Sequence, residues 1–393
     1  MKIERALKSI FVIIIPFVWA SGVWAISIKH GPYLQNVSDT EATIVWVADK
    51  PSVGWVELAQ DDGTNFYAEA RPKYFDTKTG IMVESKVHAV RVTGLKPDTK
   101  YYYRVCAKEI ISHKGWHVTY GNVASTDAWV KGPDRFTTQD SHRETASVLV
   151  VNDIHERNDV LKVLLSNGNY AGKDGVFFNG DMISLFDTED KFFNGFMDTA
   201  VATFAARQPL YYVRGNHETR GQWASKFHDY VCPRHQTLYF TVRIGPVMFI
   251  CLDTGEDKPD TDVEYYGLTD YDNYRSEQAA WLRKLINSDE YKRAKYHVVL
   301  AHIPPINMGG TDWHGDVEVR KKFVPVLNEA KIDLLLCGHT HRFGFQAITQ
   351  GYDFPMLINS NNAVVTIDAE DKGLRIRVIE MDGKVGFERV FGR

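Results

Sequence analysis

The chain has 393 residues, of which 44% are hydrophobic and 24% are charged. This composition is typical of globular proteins, and it excludes collagen, coiled coils, wholesale disorder and multi-span membrane proteins. At roughly 100–200 residues per domain, the length predicts two or three domains. The net charge is -4, from 46 basic and 50 acidic side chains. A dedicated nucleic-acid binder relies on a positive field, so no stable complex with nucleic acid is expected.

The N-terminus has the pattern of an export signal. Its first positions carry positive charge on Lys2, Arg5 and Lys8. An apolar run follows at 10–19, and residues 23–25 fit the small-x-small cleavage pattern. The run is about half of the roughly 20 residues that a membrane-spanning helix needs. We expect a signal peptide over residues 1–25, a secreted or periplasmic protein, and no transmembrane anchor after cleavage. An uncleaved N-terminal anchor is the alternative.

Residues 27–138 alternate apolar and polar side chains with a period of two. Ala42, Ile44 and Trp46 would share one face of a strand. Further short runs of this kind are separated by turn signals and lie at 55–58, 88–92 and 101–105. Several short strands without a long helix predict a β-sandwich. The segment 92–105, with the sequence VTGLKPDTKYYYRV, resembles a segment of fibronectin type III-like domains.

From 146 to 393 the pattern becomes that of an α/β domain. Buried strands are predicted at 148–151, 176–178, 210–213, 247–252, 298–300 and 332–336. Helices are predicted at 190–207, 276–286 and 317–330. Strands return at 364–367 and 374–379, where Asp382-Gly383 predicts a hairpin turn.

Five of these strands end in clusters of Asp, Asn and His. The clusters are Asn152-Asp153-Ile154-His155, Asn179-Gly180-Asp181, Arg214-Gly215-Asn216-His217-Glu218, Ala301-His302 and Cys337-Gly338-His339-Thr340-His341. Open α/β sheets bind ligands at the carboxyl ends of their strands, so these side chains should converge. Imidazole nitrogen and carboxylate oxygen suit Zn, Fe and Mn. One carboxylate can also bridge two ions roughly 3.5–4 Å apart. The sequence therefore predicts two divalent or trivalent ions, Mn, Fe or Zn.

The same clusters resemble the signature of the calcineurin-like metallophosphoesterase family. With the fibronectin-like N-terminal part, the layout is similar to that of purple acid phosphatases, and it implies a four-layer αββα domain. The resemblance implies a first ion held by Asp153, His155, Asp181 and His341. It implies a second ion held by Asp181, Asn216, His302 and His339. Asp181 would bridge the ions, and His217 would be the general acid for the leaving group.

Two departures from the related branches stand out. Purple acid phosphatases carry glycine where this chain has His155, and a tyrosine ligand where it has Ser184. His155 is therefore expected to replace the tyrosinate. The protein-phosphatase branch has an aspartate that orients the catalytic histidine, but residues 182–186 lack it. The partner of His217 is thus left open, and protein phosphatase activity is disfavoured.

Further side chains are candidates for substrate binding. Arg220 follows the third cluster by two residues, and a guanidinium can hold phosphate oxygens bidentately. Arg157 lies at an expected helix start, and helix N-termini attract anions. His314 lies on a glycine-rich loop, a frequent place for binding residues. Aromatic rings on a long polar loop, 256–275, could stack on an aryl or nucleoside leaving group; they are Tyr265, Tyr266 and Tyr271.

These features together predict an exported binuclear-metal phosphatase. It would hydrolyse small phosphomonoesters through a metal-bound hydroxide, because two ions lower the pKa of a shared water. Hydrolysis of phosphodiesters or nucleotides is the alternative within the same class. A hypothesis from another class is a surface adhesion or glycan-binding protein with an inert metal domain. The fibronectin-like part motivates that hypothesis, and the five complete clusters argue against it.

Overall fold

The computed structural model describes residues 25–127, 129–231, 237–370 and 372–392. The predicted signal peptide falls almost entirely on residues 1–24, which lie outside the described part of the chain. Within the described ranges, no helix has both the length and the apolar character needed to cross a bilayer.

The N-terminal part is built from strands. They are β1 (Ile28–Gln35), β2 (Glu41–Gln60), β3 (Lys73–Phe75), β4 (Thr77–Lys78), β5 (Ile81–Met82), β6 (Glu84–Thr93), β7 (Lys100–Lys114), β8 (His117–Ser125) and β9 (Asp134–Thr137). The first half of β2 pairs with β1 and β6, and its second half pairs with β3 and β7. The long strand β2 therefore belongs to two facing layers. Ala42, Ile44 and Trp46 are buried between them with Tyr103 and Val105, which confirms the predicted sandwich and shared face.

In the described residues of the second part there are twelve strands and seven α-helices. The strands are β10 (Ala146–Val151), β11 (Gly175–Asn179), β12 (Leu210–Val213), β13 (Phe240–Ile244), β14 (Val247–Leu252), β15 (Tyr296–Ala301), β16 (Leu334–Cys337), β17 (Gly344–Gln346), β18 (Met356–Ile358), β19 (Ala363–Glu370), β20 (Gly373–Glu380) and β21 (Val385–Phe391). The helices are α1 (Asn158–Asn167), α2 (Glu189–Phe192), α3 (Asp198–Ala200), α4 (Phe227–Tyr230), α5 (Tyr271–Leu285), α6 (Asp289–Arg293) and α7 (His314–Ala330).

The strands of the second part form two six-stranded mixed sheets. Their orders are β12-β11-β10-β19-β20-β21 and β13-β14-β15-β16-β18-β17. Alternate residues of β10 point to opposite faces: Val148 and Val150 pack between the sheets, where they join the same cluster as Phe249. Leu149 packs on the outer face, in the cluster that includes α1. Helices α5 and α7 cover the outer face of the other sheet. The layers are therefore α, β, β and α, as the resemblance implied.

All three predicted helices have other bounds in the structure. The helix α7 begins at His314 rather than 317, so His314 lies at a helix start and not on the glycine-rich loop. The predicted helix 190–207 is observed over 189–205, where π-helical turns alternate with α2 and α3. The helix α5 begins at Tyr271 rather than 276, so Tyr271 belongs to a helix and not to the preceding loop. The carboxylate of Asp260 accepts hydrogen bonds from the backbone N–H groups of Tyr271 and Asp272 at 2.8 and 3.0 Å. This cap comes from eleven residues upstream, so the local sequence pattern did not reveal it.

The β-sandwich packs closely against the outer layer of the α/β part. The ring of His30 stacks on Phe193 with centroids 4.0 Å apart. The hydroxyl of Tyr103 donates a hydrogen bond to the carbonyl of Ala206 at 2.7 Å. The hydroxyl of Tyr211 donates in the other direction, to the carbonyl of Val37 at 2.8 Å. These contacts join the two parts through side chains that are almost fully buried.

Tyr103→Phe should destabilise the protein by about 1 kcal/mol, because it removes the donor to Ala206 while leaving the buried ring in place. Denaturant unfolding monitored by fluorescence would measure the difference. Tyr120→Phe is the matched control, since Tyr120 is 44% exposed. Equal stability of the two variants would contradict a stabilising role for this contact.

Candidate metal centre

All seven predicted ligands lie where strands end at one edge of the paired sheets. Asp153 and His155 follow β10, Asp181 follows β11, and Asn216 follows β12. The remaining ligands follow β15 and β16; they are His302, His339 and His341. Five of the seven have the left-handed backbone that non-glycine residues rarely adopt, with φ of 54° at Asp153, 45° at His155, 54° at Asp181, 73° at His339 and 59° at His341. The chain thus turns sharply at these positions, a frequent feature of functional sites.

Four of these side chains form a first group of possible ligands. One nitrogen or oxygen atom from each of Asp153, His155, Asp181 and His341 lies within 4.8 Å of the others. His341 Nε2 is 3.2 Å from Asp153 Oδ1 and 3.2 Å from His155 Nε2. Asp153 is buried, whereas His341 is 45% exposed, so this group is open to solvent on one side.

A second group shares Asp181 with the first. Atoms of Asp181, His302 and His339 again lie within 4.8 Å of one another, and His302 Nε2 is 3.0 Å from Asp181 Oδ2. The amide oxygen of Asn216 faces this group. It lies 3.0 Å from His339 Nδ1, 3.1 Å from His302 Nε2 and 3.2 Å from Asp181 Oδ2. The structure therefore brings together all seven side chains in the two predicted sets.

The donor set fits two cations. It consists of imidazole nitrogens, carboxylate oxygens and one amide oxygen, which suits Zn, Fe or Mn. The Asn216 oxygen faces Asp181 Oδ2, His302 Nε2 and His339 Nδ1, which are acceptors when the imidazole nitrogens are unprotonated. Four acceptors this close repel one another, and a cation bound between them would remove the repulsion. Without a cation, a half-turn of the amide would place its nitrogen there as a donor.

Electrostatics at the centre also favour positive charge. Burial lowers the pKa of His302, but Asp181 and Asp153 attract positive charge strongly enough to raise that pKa to about 10. Burial and the neighbouring His302 lower the pKa of His339 to about 4. A neutral imidazole is the form that binds a metal, and the two carboxylates supply the negative charge that a cation would neutralise.

Neighbouring polar groups fix the orientation of the ligands. His302 Nδ1 is 2.7 Å from the carbonyl of Asn179 and donates to it, which leaves Nε2 to face the site. Asp153 Oδ2 accepts from the side chain of Asn152 at 2.6 Å and from the backbone of His339 at 2.9 Å. Such supporting hydrogen bonds hold ligands in place and typically contribute 10–100-fold to metal affinity.

Ser184 supports two histidines at once. Its hydroxyl donates to Glu156 at 2.7 Å and lies 3.2 Å from His155 Nδ1, so His155 presents Nε2 to the first group. Its carbonyl accepts a hydrogen bond from His217 Nδ1 at 2.8 Å. His217 Nε2 then faces the centre, 3.9 Å from Asp181 Oδ2. The partner of His217, which the sequence left open, is therefore a backbone carbonyl.

Two acidic residues beside the centre were missed by the sequence analysis. Glu256 and Asp257 both accept from the guanidinium of Arg220, at 2.7 and 3.0 Å. Burial raises the pKa of Glu256, but Arg220 outweighs it and the pKa falls to about 2. Burial and the adjacent Glu256 raise the pKa of Asp257 to about 8. The sequence did contain a pattern that could have identified them. The predicted strand 247–252 also ends in a polar cluster, Asp253-Thr254-Gly255-Glu256-Asp257, like the five strands before the predicted ligands.

The structure places the three candidate substrate-binding residues differently. Arg220 is close to the centre, with Nη1 3.5 Å from His217 Nε2. Arg157 turns away and donates to the carbonyls of Ile154, Asp153 and Asn361 at 2.9, 2.8 and 2.6 Å, so it is occupied in holding loops together. His314 Nε2 is 3.0 Å from Asp272 of α5. Substrate contacts by these three residues stay predictions, and the geometry favours Arg220 among them.

Trp313, rather than its neighbour His314, stands at the rim of the centre. Its ring meets that of His339 edge-on at 5.3 Å and is about half exposed. The sequence analysis did not select this residue, because no pattern separates a rim tryptophan from one in the core.

A four-layer fold with two ligand groups joined by one aspartate defines a metallophosphoesterase. The calcineurin-like phosphoesterase profile matches residues 146–343, half of the chain. The chain belongs to this family, a class of metal-dependent phosphoester hydrolases. A second profile, the purple acid phosphatase N-terminal domain, matches residues 31–130.

The relatives are distant. Purple acid phosphatase 21 of Arabidopsis thaliana is 22% identical over 293 residues, which cover 69% of this chain and 58% of that protein. An uncharacterized protein of Mycobacterium tuberculosis is 23% identical over 364 residues, 84% of this chain and 64% of that protein. The chain thus spans less than two thirds of the length of either. The structure of a purple acid phosphatase from yellow lupin superposes with a TM-score of 0.65 at 13% identity, covering 94% of this chain and 74% of that one, and it has the same fold.

Asp181→Asn should remove at least one of two bound metals, because a neutral amide oxygen bridges cations poorly. Elemental analysis of the purified variant would measure the metal content. Asp159→Asn is the control, since Asp159 is fully exposed on α1. Retention of both metals with normal activity in Asp181→Asn would show that Asp181 is not the bridge.

Proposed function

We propose that the protein is an exported phosphatase that hydrolyses phosphomonoesters at a binuclear metal centre. The observation that carries this proposal is the position of Asp181, which belongs to both ligand groups and has His217 beside it. The first ion would be held by Asp153, His155, Asp181 and His341, and the second by Asp181, Asn216, His302 and His339. Bound there, two ions would lower the pKa of a water and neutralise charge on phosphate oxygens.

His217 is suited to protonate the leaving group. Its Nδ1 is committed to the Ser184 carbonyl, so Nε2 carries the transferable proton. The ring is 27% exposed, which leaves room for a substrate in front of it. The guanidinium of Arg220 lies beside the same atom, with Nη1 3.5 Å from Nε2, where its charge would face the phosphate oxygens. Proton donation by a positioned side chain contributes about 10²–10⁴-fold to the rate.

The preference for monoesters is supported by three of the relatives, which are named purple acid phosphatases 21, 22 and 23 of Arabidopsis thaliana. Export is supported by the charged, apolar and small-residue segments of residues 1–25. N-terminal sequencing of protein from the producing cells should find a mature chain that begins at Ile26. An intact N-terminus on the protein would contradict cleavage.

His217→Ala should keep both metals and lower kcat by about 10²–10⁴-fold for alkyl phosphates, whose leaving groups need a proton. An aryl phosphate with an acidic leaving group should lose much less. Steady-state kinetics with and without chelator would measure both, and His113→Ala on the β-sandwich is the control. Equal losses for all leaving groups would contradict proton donation. Faster turnover of diesters than of monoesters would contradict the substrate class.

A further inference from the structure

A cavity of about 650 Å³ lies beside the metal centre and has no part in the mechanism described above. Its wall is formed between the segment after β11, the segment after β12 and the loop that leads into α5. The residues that matter here are Leu185, Arg220, Tyr265, Tyr266, Leu268 and Tyr271.

The cavity adjoins the segments that hold His217. Arg220 belongs to its wall and approaches His217 Nε2 to 3.5 Å. Leu185, also in the wall, directly follows Ser184, whose carbonyl holds His217. A proton donor faces the oxygen that leaves, so a substrate protonated by His217 would carry its organic group on the side of the centre next to this wall.

The wall combines aromatic and aliphatic side chains with uncharged polar ones, and its charged side chains are already paired. Tyr266 is 85% exposed and Leu268 is 89% exposed. A bound ring would bury part of this exposed apolar surface, which is favourable in free energy. Arg214 pairs with Asp253 at 2.8 Å and Arg220 with Glu256 at 2.7 Å. The third charged residue of the wall, Glu264, pairs with Lys258 at 2.5 Å. An uncharged ring suits this wall better than an ionic group does.

We propose that this cavity binds the leaving group of the substrate and selects phosphomonoesters whose alcohol carries an aromatic ring. The proposal rests on the proposed function. In the reaction, water adds to phosphorus, the bond between phosphorus and the ester oxygen breaks, and the aromatic alcohol leaves with a proton. The ring would stack on Tyr266 and pack against Leu268, as aromatic groups do in pockets of this kind.

Tyr266→Ala tests the proposal, with Val263→Ala as the matched control. Val263 lies on the same loop, is 73% exposed and is outside the cavity wall. The substrates are naphthyl phosphate, a nucleoside 5′-monophosphate and glycerol phosphate. Tyr266→Ala should lower kcat/KM about tenfold for the ring-bearing esters, through KM, and much less for glycerol phosphate. A lower kcat/KM for only naphthyl phosphate, or for only the nucleoside monophosphate, would identify which class of aromatic alcohol the cavity binds.

A binding measurement separates failure of this proposal from failure of the proposed function. Calorimetric titration should find that benzylphosphonate binds about tenfold more tightly than methylphosphonate, and that Tyr266→Ala removes the difference. If no ester is hydrolysed, the proposed function fails. Tighter binding of benzylphosphonate than of methylphosphonate would even then support an aromatic-binding role for the cavity. Equal binding of the two phosphonates, or equal loss of all substrates in Tyr266→Ala, would overturn the proposal.

Discussion

The interaction on which the centre depends is the burial of the Asp181 carboxylate among histidines. A buried charge is costly unless it is paired and hydrogen bonded. Here the Asp181 carboxylate has His302 Nε2 at 3.0 Å and the backbone N–H of His217 at 2.9 Å. His302 comes from the second sheet and Asp181 from the first. This contact therefore joins the two sheets, while the carboxylates of Asp181 and Asp153 supply the negative charge that suits a cation.

Glu218 holds the loops around that carboxylate. Its two buried oxygens accept from the backbone N–H groups of Asp181, Met182, Ile183 and Gly215 and from the hydroxyl of Tyr212, at 2.7–3.3 Å. The loops after β11 and β12 are thus fixed to each other through one side chain. His217 directly precedes Glu218 and its backbone N–H donates to Asp181, so the proposed proton donor and the aspartate shared by the two ligand groups are held by the same set of hydrogen bonds. This rigidity is what a site with preorganised charges requires.

Much of the fold, and the convergence of the Asp, Asn and His clusters, could be predicted from local patterns, whereas the division of those side chains into two ligand groups was implied by the resemblance to metallophosphoesterases. The period of two at Ala42–Trp46 and the polar residues at strand ends are properties of short segments, and the structure brings those ligands together. What the sequence did not reveal depends on distant contacts. The role of Ser184 comes from its carbonyl, which every residue has. The start of α5 at Tyr271 depends on Asp260, and one of the three carbonyls bound by Arg157 belongs to Asn361, 204 positions away.

The left-handed backbone at His155 restricts what can replace it, independently of any metal. With φ at 45°, this position suits glycine best and tolerates histidine or asparagine. Glycine would meet the same conformational demand as this histidine, so His155→Gly would remove a candidate ligand without rebuilding the turn. A β-branched residue would instead be strained by the main chain itself. The shape of the turn therefore admits only a few residue types here, and only some of them offer an atom to a metal.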